Sequence, residues 1–196
     1  MAAAIVLAAG AGSRFGGGKL AALLDGRPVL EHVVEAARSA GLDPVIVVVG
    51  PSSDLRPQGA RMVVNDHPER GLSSSLQVGV AAIPDVASVA VILLGDQPLV
   101  LPATIEALVA AAEAAPGYAA VPLYVDGGGP NPVALTRSLF PLAAEATGDR
   151  GIGPLLADRP ELVIEVPVEG SNPDVDTRAD LERVRGIASR RIVPRT

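Results

Sequence analysis

Hydrophobic positions along this 196-residue chain follow two kinds of pattern: unbroken apolar blocks of strand length, and longer stretches in which apolar residues recur on one helical stripe. The blocks are AAAIVLAA (2–9), PVIVVV (44–49), ARMVV (60–64) and SVAVILL (88–94), all rich in β-branched residues or alanine. A strand with one wet face alternates apolar and polar residues; these blocks do not, so they are predicted to be covered on both faces, as in a parallel sheet. Helices are predicted over 27–41, where Leu30, Val33, Val34 and Ala37 share a stripe between Pro28 and Gly41, and over 73–83, 102–115 and 177–189. The last three open at a serine cap, at Pro102 and at Thr177.

Strand alternating with helix predicts an α/β fold: a three-layer Rossmann-like sheet, mostly parallel, with helices on both faces. The length suits a single domain over 1–196. A Pro/Gly-rich stretch, 116–141, is expected to form a small hairpin or flap over the site. No apolar run reaches the roughly 18 to 20 residues of a membrane helix. The start MAAAIVLAAG lacks the basic leader of a signal sequence, so a cytoplasmic chain is expected. Net charge is −6 and aromatic residues make up 2%, which argues against a nucleic-acid partner, since such proteins carry a basic footprint and stacking platforms. Cysteine is absent, so thiolate metal sites and cysteine nucleophiles are excluded.

Two motifs stand directly after predicted strands, where open α/β sheets gather their ligands. The first, LAAGAGSRFGGGKL (7–20), has the strand, glycine turn and helix order that brings main-chain N–H groups onto phosphate. It is neither of the two commonest versions: the dinucleotide fingerprint fails at Phe15, which disfavours a nicotinamide-dependent oxidoreductase, and the Walker pattern fails at Ser13 and Leu20. Lys19 is the single lysine beside fifteen arginines, so a compact ammonium is needed there if the choice is functional; a plain surface charge is the alternative. Arg14, between the glycines, is expected as a second phosphate contact, with support of the loop as the alternative. The other motif is GDQP (95–98).

The segment LAAGAGSRFGGGK resembles the signature of nucleotidyltransferases related to the molybdenum-cofactor enzymes. VVNDHPERGLSSSLQVGV (63–80), LLGDQPLV (93–100), PNPVAL (130–135), GDRGIGPLL (148–156) and DVDTRADL (174–181) resemble further family segments in the same order. Ala9 and the GDQP form are closest to the branch that uses CTP, while Asn131 stands where the molybdopterin branch usually carries His. The resemblance implies a nucleotide-diphospho-sugar transferase-like fold and transfer of a nucleoside monophosphate from a triphosphate, CTP favoured, to a phosphorylated pterin-type acceptor, with loss of pyrophosphate. It makes Lys19, Arg14 and Asp96 catalytic, and Leu7, Ala8, Ala9, Gly10, Gly12, Ser13, Lys19, Asn65, Ser74, Ser75 and Gly79 nucleotide-binding. Gln97 and Asn131 would meet the acceptor. Mg²⁺ is the implied cofactor, held by Asp96 and Asp176, with Asp174 able to exchange roles with Asp176 and helix capping an alternative for each. A molybdoenzyme or its chaperone is an implied partner. A non-catalytic carrier of the nucleotide or cofactor is the competing class. Ser73 to Ser75 read as a helix cap, and His32 and His67 as structural.

Overall fold

The computed structural model describes residues 1–10 and 12–192. In chain order its elements are β1 (Ala2–Leu7), β2 (Leu23–Leu24), β3 (Arg27–Pro28), α1 (Val29–Ser39), β4 (Val45–Val49), β5 (Arg61–Val64), α2 (Leu72–Ala81) and β6 (Val89–Leu94). There follow α3 (Pro102–Ala114), β7 (Ala119–Tyr124), β8 (Val133–Thr136), α4 (Ile152–Ala157), β9 (Val163–Val168) and α5 (Arg178–Ile192). Seven strands form one sheet in the order β5-β4-β1-β6-β8-β7-β9, and β2 and β3 pair as a separate ribbon. Every pairing in the large sheet is parallel except the two made by β8, which runs against β6 and β7. The architecture is the mostly parallel, helix-covered sheet expected from the sequence.

The unbroken apolar blocks are explained by β1. Its even positions, Ala4 and Val6, pack with Leu30, Val33 and Ala37 of α1, Ile105 and Leu108 of α3, and Leu181 and Val184 of α5. Its odd positions, Ala3, Ile5 and Leu7, pack on the other face with Leu76 of α2, Ile152 and Leu156 of α4, and Phe140. Both faces are dry, so no polar alternation survives. Helix α2 lies so close to the sheet that a Cβ on Gly79 would fall 2.4 Å from Ile5 Cγ2 and 3.2 Å from Val48 Cγ2.

Two local expectations change and a third, the hairpin, takes its place in the main sheet. The helix expected from Ser73 begins at Leu72 with Gly71 in the cap position and no side-chain cap; the Ser74 hydroxyl instead turns back to the carbonyls of His67 and Gly71, both at 3.0 Å. The block at 60–64 is an edge strand, and Val64 is 48% exposed. The Pro/Gly-rich 116–141 segment supplies β7 and β8, which lie inside the sheet and are joined by a loop over 125–132. Because β8 is reversed, its first residue, Val133, pairs with Ile92 near the end of β6, so the residues before Val133 arrive at the sheet edge where β1 and β6 finish.

Candidate active site

Three strand ends compose the site. After β1 the chain turns at Gly12, whose left-handed backbone (φ 59°) favours glycine and whose missing side chain leaves room for Lys19: a Cβ there would sit 3.2 Å from Lys19 Cγ. The loop then makes a short turn at Ser13–Phe15, passes Gly16, Gly17 and Gly18, and ends in a second turn at Lys19–Ala21. Phe15 and Leu20 anchor it in the core, and the Arg178 guanidinium covers the Phe15 ring at 5.2 Å, tying the loop to the start of α5.

The Lys19 stem runs beneath Gly12 and its ammonium reaches the other two strand ends. Nζ donates to Asp96 Oδ2 at 2.5 Å, just after β6, and to Asp176 Oδ1 at 3.0 Å, between β9 and α5. Arg14 Nη1 lies 3.6 Å from Asp176 Oδ2. Burial pulls the Lys19 pKa down, but the hydrogen bonds and charges of Asp96 and Asp176 more than offset it and leave the pKa above the ordinary lysine value. The ammonium is therefore charged throughout the physiological range. Asp174 is engaged by Gln97 rather than by Lys19. Its carboxyl accepts a hydrogen bond from Gln97 Nε2 at 2.8 Å, and burial, reinforced by the charges of Asp96 and Asp176, raises its pKa.

A cleft of about 340 Å³ opens over the ammonium, floored by Leu7, Ala8, Ala9 and Gly10 and walled by Lys19, Asp96 and Ser75. It continues past Gly10, Gly12 and Lys19 into a second cavity of about 570 Å³ bordered by Gly50, Ser52 and Ser53. On the opposite side a cavity of about 440 Å³ shares Leu7, Leu72, Leu94 and Asp149 with the cleft and is lined by Asn131. Two carboxylates converging on one cation, beside open space and glycine-rich backbone, are hard oxygen donors that fit a magnesium- or manganese-type ion. Among the described residues no group of three or more His, Asp or Glu side chains could hold a metal alone, so substrate and water oxygens would complete the shell.

Lys19, Arg14, Asp96 and Asp176 are thus brought together, and Leu7, Ala8, Ala9, Gly10, Gly12 and Ser75 border the same space. Ser13 opens the turn on the exposed side of the loop. Asn65 is buried, with Nδ2 donating to Ser74 and Ser75 Oγ at 2.8 and 3.0 Å and Oδ1 accepting the His67 N–H; it braces the start of α2 behind Ser75. Gly79 lies on the sheet-facing side of α2 against Ile5 and is not among the residues lining the cleft. Gln97 is not offered to an acceptor: it is 5% exposed and both ends of its amide are engaged. His32 Nε2 hydrogen-bonds the Leu24 carbonyl at 2.9 Å and His67 pairs with Glu69, both outside the cleft lining. Sequence reasoning missed Asp149, which borders two of the cavities, and the Arg178 contact, for which the sequence showed only an aromatic in place of a glycine.

With this geometry in view, residues 4–163 match the MobA-like NTP transferase domain. The chain belongs to that family. The solved structure of Rv0371c from Mycobacterium tuberculosis H37Rv is 31% identical, superposes with a TM-score of 0.82, and is matched over 94% of this chain and 97% of that one. A second structure of that protein, complexed with manganese, is 30% identical with a TM-score of 0.80, over 94% and 98% of the two chains. A nucleotidyl transferase from Methanothermobacter thermautotroptrophicus is 31% identical with a TM-score of 0.78, over 97% and 99%. The bifunctional protein GlmU from Sorangium cellulosum (strain So ce56) is 31% identical over 175 residues, 83% of this chain and 33% of GlmU. The chain spans about a quarter to a third of the length of the GlmU relatives it matches. The match makes residues 4–163 a domain of the NTP transferase type; among the described residues no helix is long and apolar enough to cross a membrane.

Proposed function

We propose that this MobA-like protein transfers a nucleoside monophosphate, CMP from CTP, onto the phosphate of a pterin-type acceptor, releasing pyrophosphate. The observation that carries the reading is the meeting of Lys19 with Asp96 and Asp176 at the mouth of the glycine loop. An acceptor phosphate oxygen bonds to the α-phosphorus as the bond to the bridging oxygen breaks, and the electron pair leaves with pyrophosphate. The nucleophile is already an anion, so no strong base is required, in keeping with two histidines placed outside the cleft lining. Lys19 and Arg14 neutralise the charge that builds on the leaving group, and N–H groups of the glycine loop hold the phosphates. Asp96 and Asp176 would hold Mg²⁺, which supplies charge neutralisation and alignment of the phosphates when bound. Support for a divalent ion comes from the donor set and from the manganese complex of the 30%-identical Rv0371C. Support for CTP rests on the resemblance at Ala9, which lines the cleft, and for the pterin-type acceptor on the family resemblance alone, since Asn131 at the adjoining cavity stands where the molybdopterin branch usually carries His.

Pyrophosphate release from each of the four triphosphates, with acceptor and Mg²⁺, tests the reading. CTP should be fastest, and Lys19→Ala or Asp96→Ala should lower turnover by about a hundredfold or more. Tight nucleotide binding with no pyrophosphate from any acceptor would instead show a carrier.

A further inference from the structure

The proposed metal pair is assembled from residues 80 positions apart, on two segments that belong to different strands. One main-chain bond crosses between them, Val175 N–H to the Asp96 carbonyl at 2.9 Å. The other crossing is made by side chains. Gln97 Nε2 donates to Asp174 Oδ1 at 2.8 Å, and Gln97 Oε1 accepts from Asn172 Nδ2 at 3.2 Å. Gln97 and Asn172 are 5% and 3% exposed, so these bonds form away from water.

A carboxylate oxygen accepts, so Gln97 must present its NH₂ to Asp174; its carbonyl is then left to accept, and Asn172 must in turn present its own NH₂. The polarity of the whole chain is set from one end. Asn172 Oδ1 has no hydrogen-bond partner, which makes the donation to Gln97 the defined role of that buried amide. The segment leading into Asp176 is thereby held at three successive points, Asn172, Asp174 and Val175.

We propose that Gln97 is a positioning residue: by clasping Asp174 and Asn172 it fixes the separation of Asp96 and Asp176, and so sets the affinity of the site for its divalent ion. This rests on the reading of Asp96 and Asp176 as metal ligands. Outer residues that orient metal ligands typically change affinity by about 10- to 100-fold when replaced.

The polarity argument supplies a test with a rescue. Gln97→Glu sets two carboxylates face to face, whereas the double variant Gln97→Glu/Asp174→Asn restores the chain with its direction reversed at one bond and the net charge unchanged. Mn²⁺ binding to the full-length protein, followed by the spin resonance of free Mn²⁺, should weaken about tenfold or more in Gln97→Glu and return to within about threefold of wild type in the double variant. Gln97→Met, uncharged and of similar length, should weaken binding as well, which keeps the test available if Gln97→Glu does not fold. Turnover should fall with Mn²⁺ affinity while the acceptor KM stays constant. Wild-type Mn²⁺ affinity in Gln97→Glu or Gln97→Met, a double variant no better than Gln97→Glu, or a rise confined to the acceptor KM would each overturn the proposal. Asp96→Asn separates the two levels: if it binds Mn²⁺ as wild type does, the metal assignment fails, independently of the clasp.

Discussion

Replacing Lys19 by Met should divide stability from activity in a way that depends on metal. The Lys19 side chain is 13% exposed and its ammonium donates to Asp96 at 2.5 Å and Asp176 at 3.0 Å; the two aspartate side chains are 19% and 42% exposed. Removing one partner of a well-buried ion pair costs about 3 to 5 kcal/mol, because the remaining charge is stranded. Here Asp176 keeps much of its hydration, so the loss should be nearer 2 to 3 kcal/mol, from about 1.5 to 3 for a charged hydrogen bond. At about 2 to 4 °C per kcal/mol for a chain of this size, Lys19→Met should melt about 4 to 12 °C below wild type in EDTA. Millimolar Mn²⁺ returns a cation to the carboxylates, so the variant should gain more in Tm from the ion than wild type does. Pyrophosphate release should nevertheless stay about a hundredfold down, since the phosphates still lack their ammonium. Thermal unfolding with EDTA or Mn²⁺, run beside the turnover assay, reads both. An unchanged Tm in EDTA, an equal gain from Mn²⁺, or turnover within tenfold of wild type would refute the reasoning.

Two further substitutions probe the frame around the site. Gly79→Ala forces a methyl to 2.4 Å from a buried, branched side chain, a strain of about 1 to 3 kcal/mol that the better helix propensity of alanine offsets by at most about 1. Urea unfolding should show a lower midpoint with an unchanged slope, and the KM for nucleotide should not move. At the start of α5, Asp180 Oδ2 accepts from Thr177 N–H and Oγ1–H, both at 2.8 Å; the Thr177 hydrogen bonds outweigh desolvation and hold its pKa below the usual carboxylate range. A depressed carboxyl stabilises the fold above its unfolded pKa and loses that contribution as pH falls through the folded value. Asp180→Asn should therefore melt below wild type at pH 7, with the gap closing in acid; a gap independent of pH would contradict this.

The sheet was legible wherever both of its faces are dry. β1, β4 and β6 are unbroken apolar runs because helices cover them on each side, and the helices between them show their stripes. β9 is an edge strand, half-exposed along most of its length, and offers no comparable signal. The prolines and glycines of the 116–141 stretch read as a hairpin or flap; β7 and β8 do pair antiparallel there, but as strands within the main sheet, which that composition did not signal. Lys19 and Asp96 stood out because each follows a legible strand in a glycine- or Asp-bearing motif, and Asp176 through the resemblance carried by DVDTRADL. Gln97 stood out only as an acceptor contact; its clasp on Asp174 and Asn172 was not legible, because those partners lie 77 and 75 residues away and a buried amide has no periodicity. Phe15 marked only a departure from a known fingerprint; its task, holding the loop down beneath Arg178, depends on a residue 163 positions later.

The reversed course of β8 separates two kinds of evolutionary freedom. Lys19, Asp96 and Asp176, proposed to hold the phosphates and the metal, hang from β1, β6 and the approach to α5, and any drift there would disturb the proposed chemistry. The 125–132 loop reaches the same rim from the opposite direction, anchored by Tyr124 Oη donating to the Asn131 carbonyl at 3.0 Å. Lengthening or rewriting that loop would remodel one wall while leaving the ammonium and both carboxylates where they are. A single chassis can in this way be re-tooled for different recipients of the same activated group.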